Sequence, residues 1–376
     1  MGALESAAAR QPTWWPLPVY VRRLVTAGIV AAMRSERVVA EVRRVFGDLG
    51  ELTERMSRAG LESFSGSGEG EPTDPVTEAA RLERERVVDD GVQGLAKVAE
   101  GREAELDDAE LLGLEAIVLL EGRPAILIQQ GDFLPPPPDW ARLSKARVGI
   151  REVIARCGRV DVTGHLDFDW VGTASLIAPT VVMTNRHVAR EFCARADDDW
   201  VFRPGMTARI DFRAELGGYA PMEFEITGVI GVHEDRDLAL LRVEGASSDG
   251  RALPDPLPVA AREPDDLYGR DVYVVGYPAW DGRRGEPDAL RRIFMDVYNV
   301  KRLQPGRAVT YSAKFSALEH DCSTLGGNSG SPVVDLETHE VIGLHFGGRY
   351  GIGNYAVPLW MLIADPLLAK GEVNFR

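Results

Sequence analysis

From about Val160 onward, short β-branched and aromatic runs alternate with turn residues at close spacing. They are Thr173–Ile177, Val181–Thr184, Ala208–Phe212, Phe224–Ile230, Leu238–Val243, Val272–Val275, Ile293–Val297, Val341–Leu344 and Tyr355–Val357. No long helical pattern separates them, so the spacing predicts an all-β sandwich or barrel. Only Leu359–Lys370, at the end, regains a helical period.

The preceding sequence has a different texture. Val38, Val42, Val45, Leu49, Leu52 and Met56 recur every three or four residues and form one helical face, and Leu24–Met33 repeats the pattern upstream. Residues 1–62 are therefore read as a helical N-terminal region. The Gly-, Ser- and Glu-rich segment 63–76 is a flexible linker, with little to bury. Residues 77–138 read as a charged helix followed by a small hairpin, or by a helix end plus one strand, around Glu121-Gly122-Arg123-Pro124. They close on Pro135–Pro138, a polyproline spacer between domains. Residues 139–159 connect to the β-rich domain, 160–376, with a first barrel near 160–255 and a second near 265–358.

Charge and cysteine usage narrow the function classes. Fifty-eight acidic residues against 43 Lys and Arg give a net charge of -15. Such a chain does not suit nucleic acid or an anionic membrane as a partner, and the cluster Arg283, Arg284, Arg291 and Arg292 reads as a solvated face. The longest apolar runs are about half of the roughly 20 residues that span a bilayer. Cys157, Cys193 and Cys322 lie far apart without a CxxC, which argues against structural zinc and against a stapled secreted domain. No basic segment followed by an apolar run opens the chain, and a cytoplasmic protein is expected.

Three short motifs in the β-rich part carry chemistry. Thr184-Asn-Arg-His187-Val follows the apolar run Val181–Met183; Asp237 opens Asp-Leu-Ala-Leu-Leu; Gly326-Gly-Asn-Ser329-Gly-Ser-Pro332 precedes another strand. Each alone is weak. In the order His187, Asp237, Ser329 they supply a base, a carboxylate to orient it and a nucleophile. Glycines around Ser329 allow a tight turn, in which the amides of Gly327 and Ser329 would hold an oxyanion. Asp235 competes with Asp237 but sits in a charged turn, whereas Asp237 abuts a buried run. No phosphate loop or HExxH motif is present, and the chemistry needs no cofactor and no metal.

These residues resemble the trypsin-like (chymotrypsin-fold) serine proteases over roughly Val160–Leu368, through TNRHV, DLALL and GGNSGSPV. Among bacterial members without disulfides the pattern is most similar to the glutamyl endopeptidases, extending through Ser323-Thr324 and Val341-Ile-Gly-Leu-His345-Phe-Gly-Gly. The resemblance implies a two-barrel (chymotrypsin-like) protease domain behind a mainly α-helical N-terminal region. His187 and Asp237 would come from the first barrel, Ser329 and the substrate pocket from the second. It further implies that Thr324 and His345, with Ser323 and Gly347 nearby, line a pocket for the acidic side chain preceding the scissile bond. The alternative for His345 is a structural strand residue beside a pocket for small or apolar side chains.

Asn328 replaces the aspartate with which trypsin-like zymogens bind a new N-terminal amine, so activation by that ion pair is not expected. Glu69 and Glu71 in the linker become candidate self-cleavage sites. The expected activity is an intracellular serine endopeptidase acting on protein or peptide substrates, its N-terminal helical region regulating it or recruiting a protein partner. The rival reading is a catalytically silent peptide-binding pseudoprotease or adaptor.

Overall fold

The computed structural model describes residues 35–59, 75–197, 199–217, 220–279, 297–349 and 353–376. The upstream apolar stripe, the linker with Glu69 and Glu71, the arginine cluster and most of the expected run Ile293–Val297 fall outside them.

The helical region contains α1 (residues 35–45), α2 (Leu49–Ala59), α3 (Pro75–Ala99) and α4 (Asp108–Ile117). The stripe read from the sequence is its core. Val38, Val42, Leu52 and Met56 are buried with Val88, Leu95, Leu114 and Ile117. A Cβ on Gly113 would lie 2.1 Å from the backbone nitrogen of Gly91, so α3 and α4 cross backbone to backbone where only glycine fits. Asp107 and Glu110 form a capping box that starts α4, satisfying two otherwise free helix-end amides.

A π-helical turn, Val118–Gly122, leads into the hairpin β1 (Ile126–Gln129) and β2 (Asp132–Phe133). The segment around Glu121 is thus a helix end plus one strand. Pro135–Pro138 then runs to buried Trp140 and to the short helices α5 (Arg142–Lys145) and α6 (Arg147–Ile154). Ile126, Phe133, Trp140, Leu143 and Ile150 share one hydrophobic core with the second barrel, so the chain on both sides of the prolines packs into the same body.

Strands β3 (Cys157–Thr163), β4 (Trp170–Ala178), β5 (Val181–Thr184), β8 (Thr207–Asp211), β9 (Glu223–Val232) and β10 (Ala239–Val243) close into the first barrel in the order β10-β5-β4-β3-β8-β9. The helix α7 (Arg186–Phe192) and a ribbon of β6 (Cys193–Ala196) and β7 (Asp199–Phe202) interrupt that ring.

The second barrel is built from β11 (Asp271–Gly276), β12 (Arg302–Ser312), β13 (Ala317–His320), β14 (Pro332–Asp335), β15 (Val341–Arg349) and β16 (Gly353–Pro358). Pairing of β11 with β12 closes it, and β1 joins its sheet along β12 with Ile126 opposite Leu303. The final helix is α8 (Pro366–Lys370). Two six-stranded barrels behind a helical N-terminal region make this a chymotrypsin-like fold.

Strand alternation fixes how the barrels meet. In β5, Val182 enters the first barrel's own core while Val181 and Met183 face the seam between barrels. In the β10 segment, Ala239, Leu241 and Val243 point into the barrel, and Leu238 and Leu240 into the seam. The seam continues through Tyr273, Val275, Leu303, Val334 and Leu344 of the second barrel. A period of two with both faces buried explains why these runs are apolar throughout. It also joins the barrels firmly enough for side chains from each to hold a common geometry.

Candidate active site

His187 lies in the first turn of α7. Val188, Ala189 and Phe192 bury one side of this helix in the barrel, which leaves His187 on the open side with its side chain 49% exposed. No side chain caps the start of α7. Asn185 makes no side-chain capping bond; its Nδ2 instead donates to the Asp237 carbonyl at 2.8 Å. Asp237 grips His187 twice. Its Oδ1 accepts the His187 backbone N–H at 3.0 Å, and its Oδ2 lies 2.6 Å from His187 Nδ1.

In the neutral imidazole this contact keeps the proton on Nδ1, donating to the Asp237 carboxylate, and leaves the lone pair on Nε2. Burial pushes the Asp237 carboxyl up, but the hydrogen bonds and charge of His187 outweigh it, and the net shift is downward. Asp237 therefore stays ionised. Asp235 is exposed and donates its backbone N–H to His233, outside this constellation.

Ser329 sits on the turn before β14, and that turn is held from the first barrel. Thr173 N–H donates to the Ser329 carbonyl at 2.9 Å, and Thr173 Oγ1 donates to the Gly327 carbonyl at 2.9 Å. A Cβ added to Gly172 would lie 3.0 Å from the Ser329 carbonyl oxygen and 2.8 Å from Val188 Cγ2. One point on β4 thus touches both the Ser329 turn and the residue following His187.

Gly327 and Gly330 take φ of 82° and 88°, the left-handed region that favours glycine. Peptide orientation follows from the neighbouring bonds. The Gly326 carbonyl accepts Ala279 N–H at 2.5 Å, and the Asn328 carbonyl accepts Ser331 N–H at 2.9 Å. In a trans peptide the N–H opposes the C=O, so the amides of Gly327 and Ser329 point the other way. Among the described residues nothing accepts a hydrogen bond from either amide. Two adjacent free donors beside a serine are what an oxyanion requires.

The expected pocket residues surround the next segment. Ser323 is 9% exposed, and its Oγ has no hydrogen-bond partner among the described residues. Gln304 donates to the Ser323 carbonyl while its own Oε1 is buried without a partner. Thr324 Oγ1 donates to Asn354 Oδ1 at 2.7 Å, and Asn354 Nδ2 donates to the Cys322 carbonyl at 2.7 Å. Around Gly347 a Cβ would meet nothing within 4 Å, leaving that wall open.

His345 is buried at 2% exposure, and its Nδ1 lies 3.1 Å from Nε2 of fully buried His320. Burial pushes the His320 imidazole down to about 4, only partly offset by the charge of Asp321, so it is neutral. Its Nδ1 has no partner, and a buried N–H without an acceptor is costly, so the single proton belongs on Nε2. His345 Nδ1 is then the acceptor, and its Nε2 carries an N–H. His320, Gln304 and Asn354 escaped sequence reasoning; each is an ordinary strand residue until the fold sets it behind Ser323 and His345.

Asn328 is fully buried, with its amide 3.4 Å from the Leu325 carbonyl, and it makes no ion pair among the described residues. Asp161, Asp211 and Glu223 bring carboxylate oxygens within 4.8 Å of one another in the first barrel. Arg159 holds Asp161 at 2.6 Å and Arg209 holds Glu223 at 2.8 Å, while Asp211 accepts the Arg213 and Met222 amides. Each carboxylate of that cluster is engaged by the protein's own donors.

Residues 172–344 match the trypsin-like peptidase domain. A probable serine protease of Lysobacter enzymogenes is 28% identical over 322 residues, 76% of this chain and 82% of that protein. Glutamyl endopeptidase of Staphylococcus aureus is 58% identical over 40 residues, 11% of this chain and 12% of that protein. Among solved structures, a serine endoprotease of Yersinia pestis aligns at 17% identity and TM-score 0.41, covering 60% of this chain and 66% of its own. The active form of a Mycobacterium tuberculosis protease aligns at 20% identity and TM-score 0.41, covering 66% and 91%.

Proposed function

We propose that this chain, a serine endopeptidase with a trypsin-like peptidase domain, cleaves after acidic residues by a His187–Asp237–Ser329 triad. Ser329 Oγ attacks the scissile carbonyl carbon while His187 Nε2 takes its proton, and the tetrahedral oxyanion accepts the Gly327 and Ser329 amides. His187 then returns the proton to the leaving nitrogen, the C–N bond breaks, and an acyl-enzyme remains. Water repeats the sequence with His187 as base, releasing the new carboxylate and free Ser329.

The observation that carries this reading is the double grip of Asp237 on His187, on a helix that abuts the Ser329 turn through Gly172. Support for the acidic preference is the contact of neutral His320 with His345, which directs the His345 proton to Nε2, together with the Ser323 hydroxyl, which has no partner among the described residues. Hydroxyl and imidazole donors satisfy a carboxylate without a full cation. The substrates are proteins or peptides. An intracellular setting is supported by three cysteines that are all free and buried. Among the described residues no helix is long and apolar enough to cross a membrane. The helical N-terminal region, covalently continuous with the second barrel's sheet through β1, is assigned a regulatory or recruiting role.

A fluorophosphonate probe and a peptide library test this together. The wild type should be labelled on Ser329 and should cleave after Glu in preference to Lys, Phe or Ala. Ser329→Ala should do neither. Peptide binding without labelling or turnover would support the pseudoprotease reading instead.

A further inference from the structure

We propose that Arg44, on helix α1 of the N-terminal region, is a positioning residue that sets the substrate pocket through Asp321. This rests on the acidic-pocket reading above and adds what holds that pocket in place.

Asp321 is the first residue after β13, between His320 and the Cys322-Ser323-Thr324 segment. It is 6% exposed. Its Oδ1 accepts the Arg307 backbone N–H at 2.6 Å, and its own N–H donates to the Arg307 carbonyl at 3.1 Å, so it ties the end of β13 to β12. Its Oδ2 accepts Arg44 Nη1 at 2.6 Å, and its carbonyl accepts Arg123 Nη1 at 3.2 Å. Glu41, one turn before Arg44 on α1, pairs with both arginines, at 2.6 Å to Arg44 and 2.8 Å to Arg123. Two arginines thus stand between a carboxylate of the helical region and one at the pocket's edge.

The physical consequence follows from burial. A carboxylate removed from water is tolerated when a cation and hydrogen bonds compensate it, and removing the cation is costly. Without Arg44, Asp321 lowers its energy by turning toward solvent. That move gives up the Arg307 amide and loosens the β12–β13 end. The loosened residues are the ones that matter: His320, which sets the His345 proton, on one side, and Ser323 on the other.

The junction is also open to water. Arg44, Arg123, Arg307 and Asp321 line a cleft of about 490 Å3 between α1–α2 and the second barrel, and Arg44 is 40% exposed there. Charged contacts around such a cleft exchange with water far more readily than an apolar seam does.

The test uses the full chain as Arg44→Ala, with Arg43→Ala as control. Arg43 sits on the same helix but pairs with Glu103 inside the helical region. Activity is read as separate kcat and KM on a peptide cleaved after Glu and on the same peptide carrying Ala. Fluorophosphonate titration gives the active fraction.

Arg44→Ala should raise KM for the Glu peptide about tenfold with kcat held within threefold, and should leave the Ala peptide within twofold. Arg44→Lys should recover most of the loss, and Arg43→Ala should match the wild type. A loss of active fraction with unchanged KM would mean that Arg44 only stabilises the fold and would overturn the proposal. So would an Arg44→Ala enzyme indistinguishable from wild type, and both results would leave the triad intact. A wild type that is neither labelled nor active would remove the reading beneath it.

Discussion

Thr173 offers the sharpest test of how the Ser329 turn is held. Its side chain is fully buried; Oγ1 donates to the Gly327 carbonyl at 2.9 Å and accepts Tyr277 N–H at 3.3 Å. Thr173→Val keeps the shape and deletes the hydroxyl. It leaves one buried amide without a partner, worth about 1–3 kcal/mol, and one part-buried carbonyl worth about 1 kcal/mol, so a stability loss of about 2–4 kcal/mol is expected. The catalytic cost is bounded from above by outright loss of an oxyanion donor, roughly 100- to 1,000-fold in kcat. It should fall short of that, because Thr173 N–H still holds the Ser329 carbonyl and Ala279 N–H still holds that of Gly326. A fall of about 10- to 50-fold in kcat with KM nearly unchanged is expected, matched by weaker binding of a peptide aldehyde that mimics the oxyanion. Thr173→Ser should restore both. If kcat in Thr173→Val stays within threefold of wild type while the protein is folded, the turn does not depend on this hydroxyl and the argument fails.

Three other outcomes follow from the same geometry. Asp237→Asn should retain the backbone bond to His187 but favour the wrong imidazole tautomer, lowering kcat by about 10,000-fold, as such a change does in a comparable triad; steady-state kinetics showing less than a tenfold loss would remove Asp237 from its role. Gly330→Ala should abolish activity and folding yield together, since φ is 88° and the new Cβ would lie 2.0 Å from the Thr173 carbonyl; a normally active Gly330→Ala enzyme would refute the close approach. His320 is held by burial at about 4 against an ordinary 6.5, so between those values the unfolded chain binds a proton that the folded protein does not. Stability is therefore full above pH 6.5 and falls by about 3 kcal/mol toward pH 4. Urea midpoints at pH 7 and pH 4.5 should show part of this in wild type and a smaller drop in His320→Gln; equal drops would exclude His320 as the source.

Strand texture made the barrels legible because period-two burial writes itself into sequence. Val181–Met183 and Leu238–Val243 are apolar throughout because one face meets a barrel core and the other meets the seam. The helical stripe from Val38 to Met56 was legible for the same reason at a period of 3.6. A proline run such as 135–138 fixes local backbone but does not say what the next side chain buries, and Trp140 reaches back to the Gly122 carbonyl at 2.8 Å. Lys301 was invisible as a core residue. Its ammonium is fully buried because the Ile154 and Phe212 carbonyls, at 2.9 and 2.6 Å, replace its water.

At the candidate site, the legible residues are those whose role demands a local motif. A histidine on a helix start, an aspartate at a strand entry and a serine between glycines each need particular neighbours in the chain. The supporting residues have no such need. Thr173 acts from 154 positions away and Arg44 from 277, so their neighbours in sequence are free to vary while their partners in space are not. Their substitution would leave every motif intact. That separates two kinds of failure in chains of this pattern: loss of a motif residue ends the chemistry, whereas loss of a distant support leaves the chemistry and degrades the geometry it depends on. The first shows as absent labelling of Ser329; the second shows as labelling retained with altered KM or kcat, and only the second can be adjusted in degree.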